Sequence, residues 1–189
     1  MVGSRSDILN NLITSIPHHL TSSLITDYNM ADTIQIYTDG SARGNPGPGG
    51  YGIVLISGAY RKELSQGYKY TTNNRMELLA VIIALESLKN KFSDVCVYSD
   101  SRYVVDAVEK KWVFGWEKKQ FAGKKNPDLW TRFLLIYKQH NVKFVWVKGH
   151  DENSENNRCD KLAVEASHSD KMLLDTGYVK ESAASDNIH

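Results

Sequence analysis

"YTDGSARGNPGPGGYG", Tyr37 to Gly52, decides how the rest of the chain is read. An aspartate, Asp39, closes a short strand-like run, and glycines and two prolines follow at once. Taken literally, Gly47, Gly49 and Gly52 satisfy the G-x-G-x-x-G pattern of dinucleotide-binding loops. That fingerprint needs a helix after the loop, so that the pyrophosphate meets a helix N-terminus. Here the loop runs into "YGIVLIS", which reads as a strand. The match is a decoy. What remains is a tight, stiff link between two strands. Glycine permits positive φ and close approach of another backbone, and proline limits the freedom of the chain. Asp39 is left at the carboxyl end of the first strand with little side-chain bulk over it.

Working outward, Thr33 to Thr38 alternates apolar Ile34 and Ile36 with Gln35 and Tyr37, the period of a strand. Gly52 to Ser57 reads as a buried strand, and Tyr60 to Tyr68 as a more polar edge strand joined to it through a hairpin turn. The period then changes. In "TTNNRMELLAVIIALESLKN", Met76, Leu79, Ala80, Ile83 and Leu88 share one helical face, with Thr72 or Asn73 as cap. Val95 to Ser99 is a strand ending at Asp100, followed by a short helix from Arg102 to Glu109. Asn126 and Pro127 start another helix in the manner of a cap and a first helical residue. Val142 to Val147 is a strand. Ser154 to Ser167 is a helix with Cys159, Leu162, Ala163 and Ala166 inward. The order β-β-β-α-β-α-α-β-α predicts three antiparallel strands, then two more that arrive through helices and lie parallel to the first. The fold class is therefore α/β: a five-stranded mixed sheet with helices on both faces.

The 189 residues suit one domain with a core of its own. The charge is nearly balanced, 23 basic against 22 acidic residues, so the total says nothing about partners. Two cysteines without a C-x-x-C pair suggest neither a zinc site nor a disulfide framework, and a reduced cytoplasmic setting fits. No apolar run reaches transmembrane length, so no membrane is expected as partner. Residues 1–32 differ in being rich in Ser, Asn and Thr. Leu9, Leu12, Ile13 and Ile16 have helical spacing ahead of Pro17, but the segment lacks the basic start and continuous apolar core of a signal peptide. It reads as a disordered extension, 33–181 as the domain, and 182–189 as a loose tail.

The acids give the chemistry. Asp100 ends its strand in a polar "SDS" setting, and if that strand lies parallel beside the first, Asp39 and Asp100 stand side by side at the sheet edge where α/β proteins place ligands. Glu77 lies early in its helix, off the apolar face, and Asp160 lies in the last helix, off the face of Cys159 and Leu162. Crowded carboxylates repel. A site that keeps several together compensates with divalent cations, and an all-oxygen ligand set points to magnesium or manganese.

Five stretches, "TDGSARGNPGPGGYG", "TTNNRMELLA", "SDSRYV", "VKGH" and "NNRCDKLA", together with "DTGY" around Asp175, resemble the type 1 ribonuclease H family, the bacterial-type ribonucleases HI, in the family's order. The resemblance covers residues 33 to about 180. It implies the ribonuclease H fold and an endonuclease that cuts the RNA strand of RNA–DNA hybrids with two Mg²⁺ ions, with Mn²⁺ as a possible substitute, leaving 5′-phosphate and 3′-hydroxyl ends. It maps the metal-binding acids onto Asp39, Glu77, Asp100 and Asp160, and a loop histidine that shuttles a proton or assists product release onto His150. By the same resemblance Asn45, Thr72 and Asn73 grip the DNA strand, while Asn74 and the backbone at Gly40 sense the RNA 2′-hydroxyl. Where better-known members often carry Gln, this chain has Arg102, which alters contacts near the site. The family's basic protrusion falls on Lys110 to Lys125. There Lys118, Lys119, Lys124 and Lys125 stand among Trp112, Phe114, Trp116 and Phe121, a mixture suited to tracking a nucleic-acid backbone. For Trp112 and Trp116 packing is the alternative. The expected partner is the hybrid duplex and the expected state a monomer. Rival readings are another nuclease of the same superfamily, such as a transposase or junction resolvase, and a non-catalytic hybrid-binding module. The first lacks "TTNNRME" with "VKGH", and the second would have lost a carboxylate.

Overall fold

The computed structural model describes residues 33–149 and 153–186. The extension over 1–32, with its helical spacing, and His150 lie outside them. The elements are β1 (Ile34–Ala42), β2 (Gly47–Ser57), β3 (Tyr60–Thr71), α1 (Asn73–Glu86), β4 (Asp94–Ser99), α2 (Arg102–Glu109), α3 (Trp112–Lys118), α4 (Pro127–Tyr137), β5 (Asn141–Trp146), α5 (Ser154–Ser167) and α6 (Thr176–Asp186). The five strands form one sheet in the order β3-β2-β1-β4-β5. β1 to β3 are antiparallel, whereas β4 runs parallel to β1 and β5 parallel to β4. This is the topology expected from the order of the elements.

Alternation along the strands divides the core. Ile36, Ile53, Leu55, Val95, Val97 and Phe144 join one cluster with residues of α1, α2 and α4, among them Met76, Leu79, Val104, Trp130 and Phe133. Val54 packs with Cys159 and Leu162 of α5 in a second cluster. Helix α1 is buried on nearly every side, Glu77 and Arg75 included. The Arg75 guanidinium, 1% exposed, bonds to both oxygens of Asp175, at 2.7 and 2.8 Å, and to both of Asp128, at 2.9 and 2.8 Å. Thr71 Oγ1 donates to the same Asp175 at 2.7 Å. "DTGY" therefore ties the start of α6 to the start of α1, and removing one partner of such a buried pair costs about 3–5 kcal/mol.

Three features depart from the sequence reading. The glycine stretch is mostly strand: β1 continues to Ala42, β2 begins at Gly47, and Asp39 pairs with Gly52 inside the ladder. The glycines serve packing. A Cβ on Gly52 would collide with the Cys159 carbonyl and lie 2.7 Å from Leu162 Cβ, so its absence lets α5 lie directly on the sheet. Helix α3 was not expected. It forms because Val113 is buried and because Trp116 packs edge-on against Trp130, with ring centres 5.6 Å apart. Lys111, at φ 61°, breaks the chain between α2 and α3. Helix α6 runs past residue 182, where the loose tail was expected to begin, and is started by the Asp175 carboxylate accepting from Tyr178 N at 3.1 Å.

Candidate active site

The ladder between β1 and β4 ends at the pair Thr38 and Ser99. Asp39 and Asp100 are the next residues on the two neighbouring strands, where the sheet opens. Helix α1 crosses this opening at Gly40, whose missing Cβ would otherwise strike the Glu77 backbone nitrogen and come within 2.6 Å of the Met76 carbonyl carbon. That close approach brings Glu77 to the two aspartates. One carboxylate oxygen from each of Asp39, Glu77 and Asp100 lies within 4.8 Å of the others. Asp160, on α5, is not one of these three, but it lies close enough for its charge to help raise the Asp39 carboxyl. Its position follows from the close seating of α5 on Gly52, since Asp160 is the next residue after Cys159, whose carbonyl a Gly52 Cβ would meet.

Asp39 is 7% and Glu77 6% exposed, and Asp100 is half-buried. Burial, then the charge of Asp100, pushes the Asp39 carboxyl from an ordinary 3.8 up to about 7, against the Gly40 N–H that donates to its Oδ1 at 2.7 Å. Burial also raises Glu77 well above the usual carboxylate range, helped by the charges of Asp39 and Asp100. Glu77 Oε1 accepts from Asn73 Nδ2 at 3.4 Å, while its buried Oε2 has no hydrogen-bond partner among the described residues. A buried carboxylate oxygen without a donor, among other oxygen ligands, is what a hard divalent cation requires. The residues fit such an ion.

Around the cluster stand the other expected residues. Asn45, on the turn after β1, accepts at Oδ1 from Asn73 N at 3.1 Å and so caps α1 from 28 residues away. Thr72 occupies the N-cap position, but its side chain makes no capping bond. Asn74 is exposed beside it. Gly149 lies against Asp100, for a Cβ there would meet Asp100 Oδ2. Arg102 stacks on Trp146, with its guanidinium carbon 3.6 Å from the ring centre. Lys118, Lys119, Lys124 and Lys125 are exposed on α3 and the turn after it, apart from the carboxylates in sequence. Trp112 is 47% exposed with Lys110 over its ring at 4.9 Å, and Trp116 packs inward with Lys124 over it at 5.0 Å. The sequence reading missed Arg75 and Trp146. A lone arginine in an apolar helix and a tryptophan closing a strand just before "VKGH" were the available signals.

Comparison with known proteins agrees with this geometry. The family model described as RNase H matches residues 31–168. The chain is 53% identical to a ribonuclease H of Trichodesmium erythraeum over 150 residues, 77% of this chain and 95% of that protein. It is 48% identical to a ribonuclease HI of Synechocystis sp. over 155 residues, 79% of this chain and 96% of the other. Among solved structures it resembles LC9-RNase H1, a type 1 RNase H with the type 2 active-site motif, at 30% identity and TM-score 0.66, covering 80% of this chain and 81% of that one. It also resembles LC11-RNase H1 in complex with an RNA/DNA hybrid, at 32% identity and TM-score 0.55, covering 70% and 95%. The chain belongs to the RNase H family.

Proposed function

We propose that this ribonuclease H, which hydrolyses RNA in RNA–DNA hybrids, does so at the cluster of Asp39, Glu77, Asp100 and Asp160, with two Mg²⁺ ions as cofactors and Mn²⁺ as a possible substitute. The carrying observation is the three carboxylate oxygens within 4.8 Å of one another, one belonging to a buried glutamate whose Oε2 has no hydrogen-bond partner among the described residues. The ions, when bound, supply Lewis-acid polarisation of the scissile phosphate and charge for the leaving oxygen. The products carry 5′-phosphate and 3′-hydroxyl ends.

The chain's own residues position and discharge. Asp39 and Glu77 must give up any proton to bind a cation, so both work as carboxylates whose mutual repulsion the ions relieve. His150 moves a proton at the leaving or attacking oxygen or assists product release, a role that suits a near-neutral imidazole. Its support is its neighbour Gly149, seated on Asp100. Asn45, Thr72 and Asn73, at the capped start of α1, hold a DNA phosphate. Asn74 and the Gly40 backbone meet the RNA 2′-hydroxyl. Arg102, Trp112 and the lysines 118, 119, 124 and 125 contact the duplex. The working unit is residues 33–181, acting as a monomer in the cytoplasm. Two free thiols, Cys96 and Cys159, accord with a reducing compartment. A hybrid labelled on one strand at a time, incubated with Mg²⁺ or with chelator, tests the proposal. RNA fragments ending in 3′-hydroxyl, formed only with metal, are expected. Cleavage of the DNA strand, or of RNA in chelator, overturns it.

A further inference from the structure

Trp146 closes β5 opposite Ser99, the last residue of β4 and the one before Asp100. Its side chain is 38% exposed, so burial alone does not account for it. Both of its chemical features are engaged. The indole N–H donates to the Asp100 carbonyl at 3.0 Å. The ring carries the Arg102 guanidinium at 3.6 Å, near van der Waals contact. Arg102, 59% exposed, has one acidic neighbour among the described residues, Asp106 at 3.8 Å, and that carboxylate is held more closely by Lys110 at 2.8 Å. At 3.8 Å no hydrogen bond forms. The orientation of Arg102 is thus set by the stack, and its N–H donors are left for an acceptor from outside.

We propose that Trp146 is a positioning residue that couples the Asp100 metal-ligand strand to a phosphate contact made by Arg102. This rests on the ribonuclease H reading of the carboxylate cluster. A guanidinium held flat on an aromatic face loses little freedom when it forms paired hydrogen bonds with phosphate oxygens. The anchor that holds it also fixes the backbone of Asp100, so a phosphate bound at Arg102 is registered against the carboxylates. The ligand is a backbone phosphate of the nucleic acid flanking the one being cut. Lysine at position 102 would keep the charge but lose the stacked fork.

Steady-state kinetics on a strand-labelled hybrid, over a salt series, tests the coupling with W146A, W146F, R102A and the W146A/R102A double variant. R102A and W146A are each expected to raise KM about three- to fivefold, the scale of an exposed cation–π contact. Each should also flatten the slope of log affinity on log salt by roughly 0.7–0.9, one phosphate contact. The double variant should have the KM of the single ones, because both remove the same contact. W146F keeps the aromatic face and should leave KM near wild type, while loss of the N–H lowers kcat about three- to tenfold. If W146A melts below the assay temperature, W146L takes its place in the cycle. KM effects that multiply in the double variant overturn the coupling, as does a W146F protein matching wild type in both constants. The wild type must cleave RNA for these ratios to exist, so failure of the underlying reading shows separately, as an inactive wild type.

Discussion

Asp39 carries the tension of the site in a single side chain. Burial and the nearby Asp100 raise its carboxyl to about 7, against an ordinary 3.8. The folded chain therefore holds a proton that the unfolded chain has released between about pH 4 and pH 7. Stability falls as pH rises through that window, because the native state binds more protons than the unfolded one. Thermal melts in chelator should show this decline in the wild type and a weaker decline in Asp39→Asn, where the side chain at position 39 no longer titrates and Glu77 still does. Adding Mg²⁺ should raise the melting temperature more at pH 8 than at pH 5, since protons compete for the same oxygens below about 7. Parallel pH profiles for the two proteins would contradict the assignment. Asp39, Glu77 and Asp100, which folding brings together, were legible in the sequence as candidates through local cues, an acid at the turn out of a strand-like run or off an apolar helix face. The raised affinity of Asp39 for its proton was not, since it comes from neighbours brought together by folding. Nor was the Asn45 cap on α1, which joins two residues with no local pattern between them.

At the scale of elements, the site is the product of two close approaches, α1 over Gly40 and α5 over Gly52. The sequence showed glycines and the acid beside them, and stiffness in a turn was the natural reading. Only the three-dimensional stack reveals that the helices need the missing Cβ atoms. Gly52→Ala tests this. The added methyl meets the Cys159 carbonyl and Leu162 Cβ, which are backbone and near-backbone atoms that cannot swing aside. Destabilisation of about 1–3 kcal/mol is expected from overpacking, seen in urea melts. Activity of the folded fraction should fall as well, because α5 carries Asp160. Unchanged stability and turnover would mean that α5 has slack against the sheet. Helix α3 escaped the sequence reading for a related reason. Its lysines and aromatics carry no clean period, and Trp116 takes its place from Trp130, which lies on α4.

For the whole molecule, a nearly neutral total conceals a division of charge. Carboxylates gather where the sheet opens, and exposed lysines gather on α3 and the turn after it. Changing Lys118, Lys119, Lys124 and Lys125 together to Gln should weaken hybrid binding and flatten the log–log salt slope by roughly 0.7–0.9 for each phosphate no longer neutralised. Turnover at saturating hybrid should stay near normal, because these side chains cannot hold a divalent cation. An unchanged slope would make them a solvated surface, and a collapsed turnover would give the segment a share in catalytic geometry. The order of strands was legible from element order alone, since parallel strands need crossovers. The central claim is that the carboxylates where the β1–β4 pairing ends hold the metal that drives cleavage. Single-turnover cleavage of the RNA strand, at saturating hybrid and across a Mg²⁺ series, tests it most directly in wild type and Asp39→Asn. A variant that folds and binds hybrid but cleaves about a thousandfold more slowly, the scale of losing a preorganised electrostatic partner, at every Mg²⁺ concentration is the predicted result. An Asp39→Asn protein that reaches the wild-type rate once Mg²⁺ saturates would contradict it.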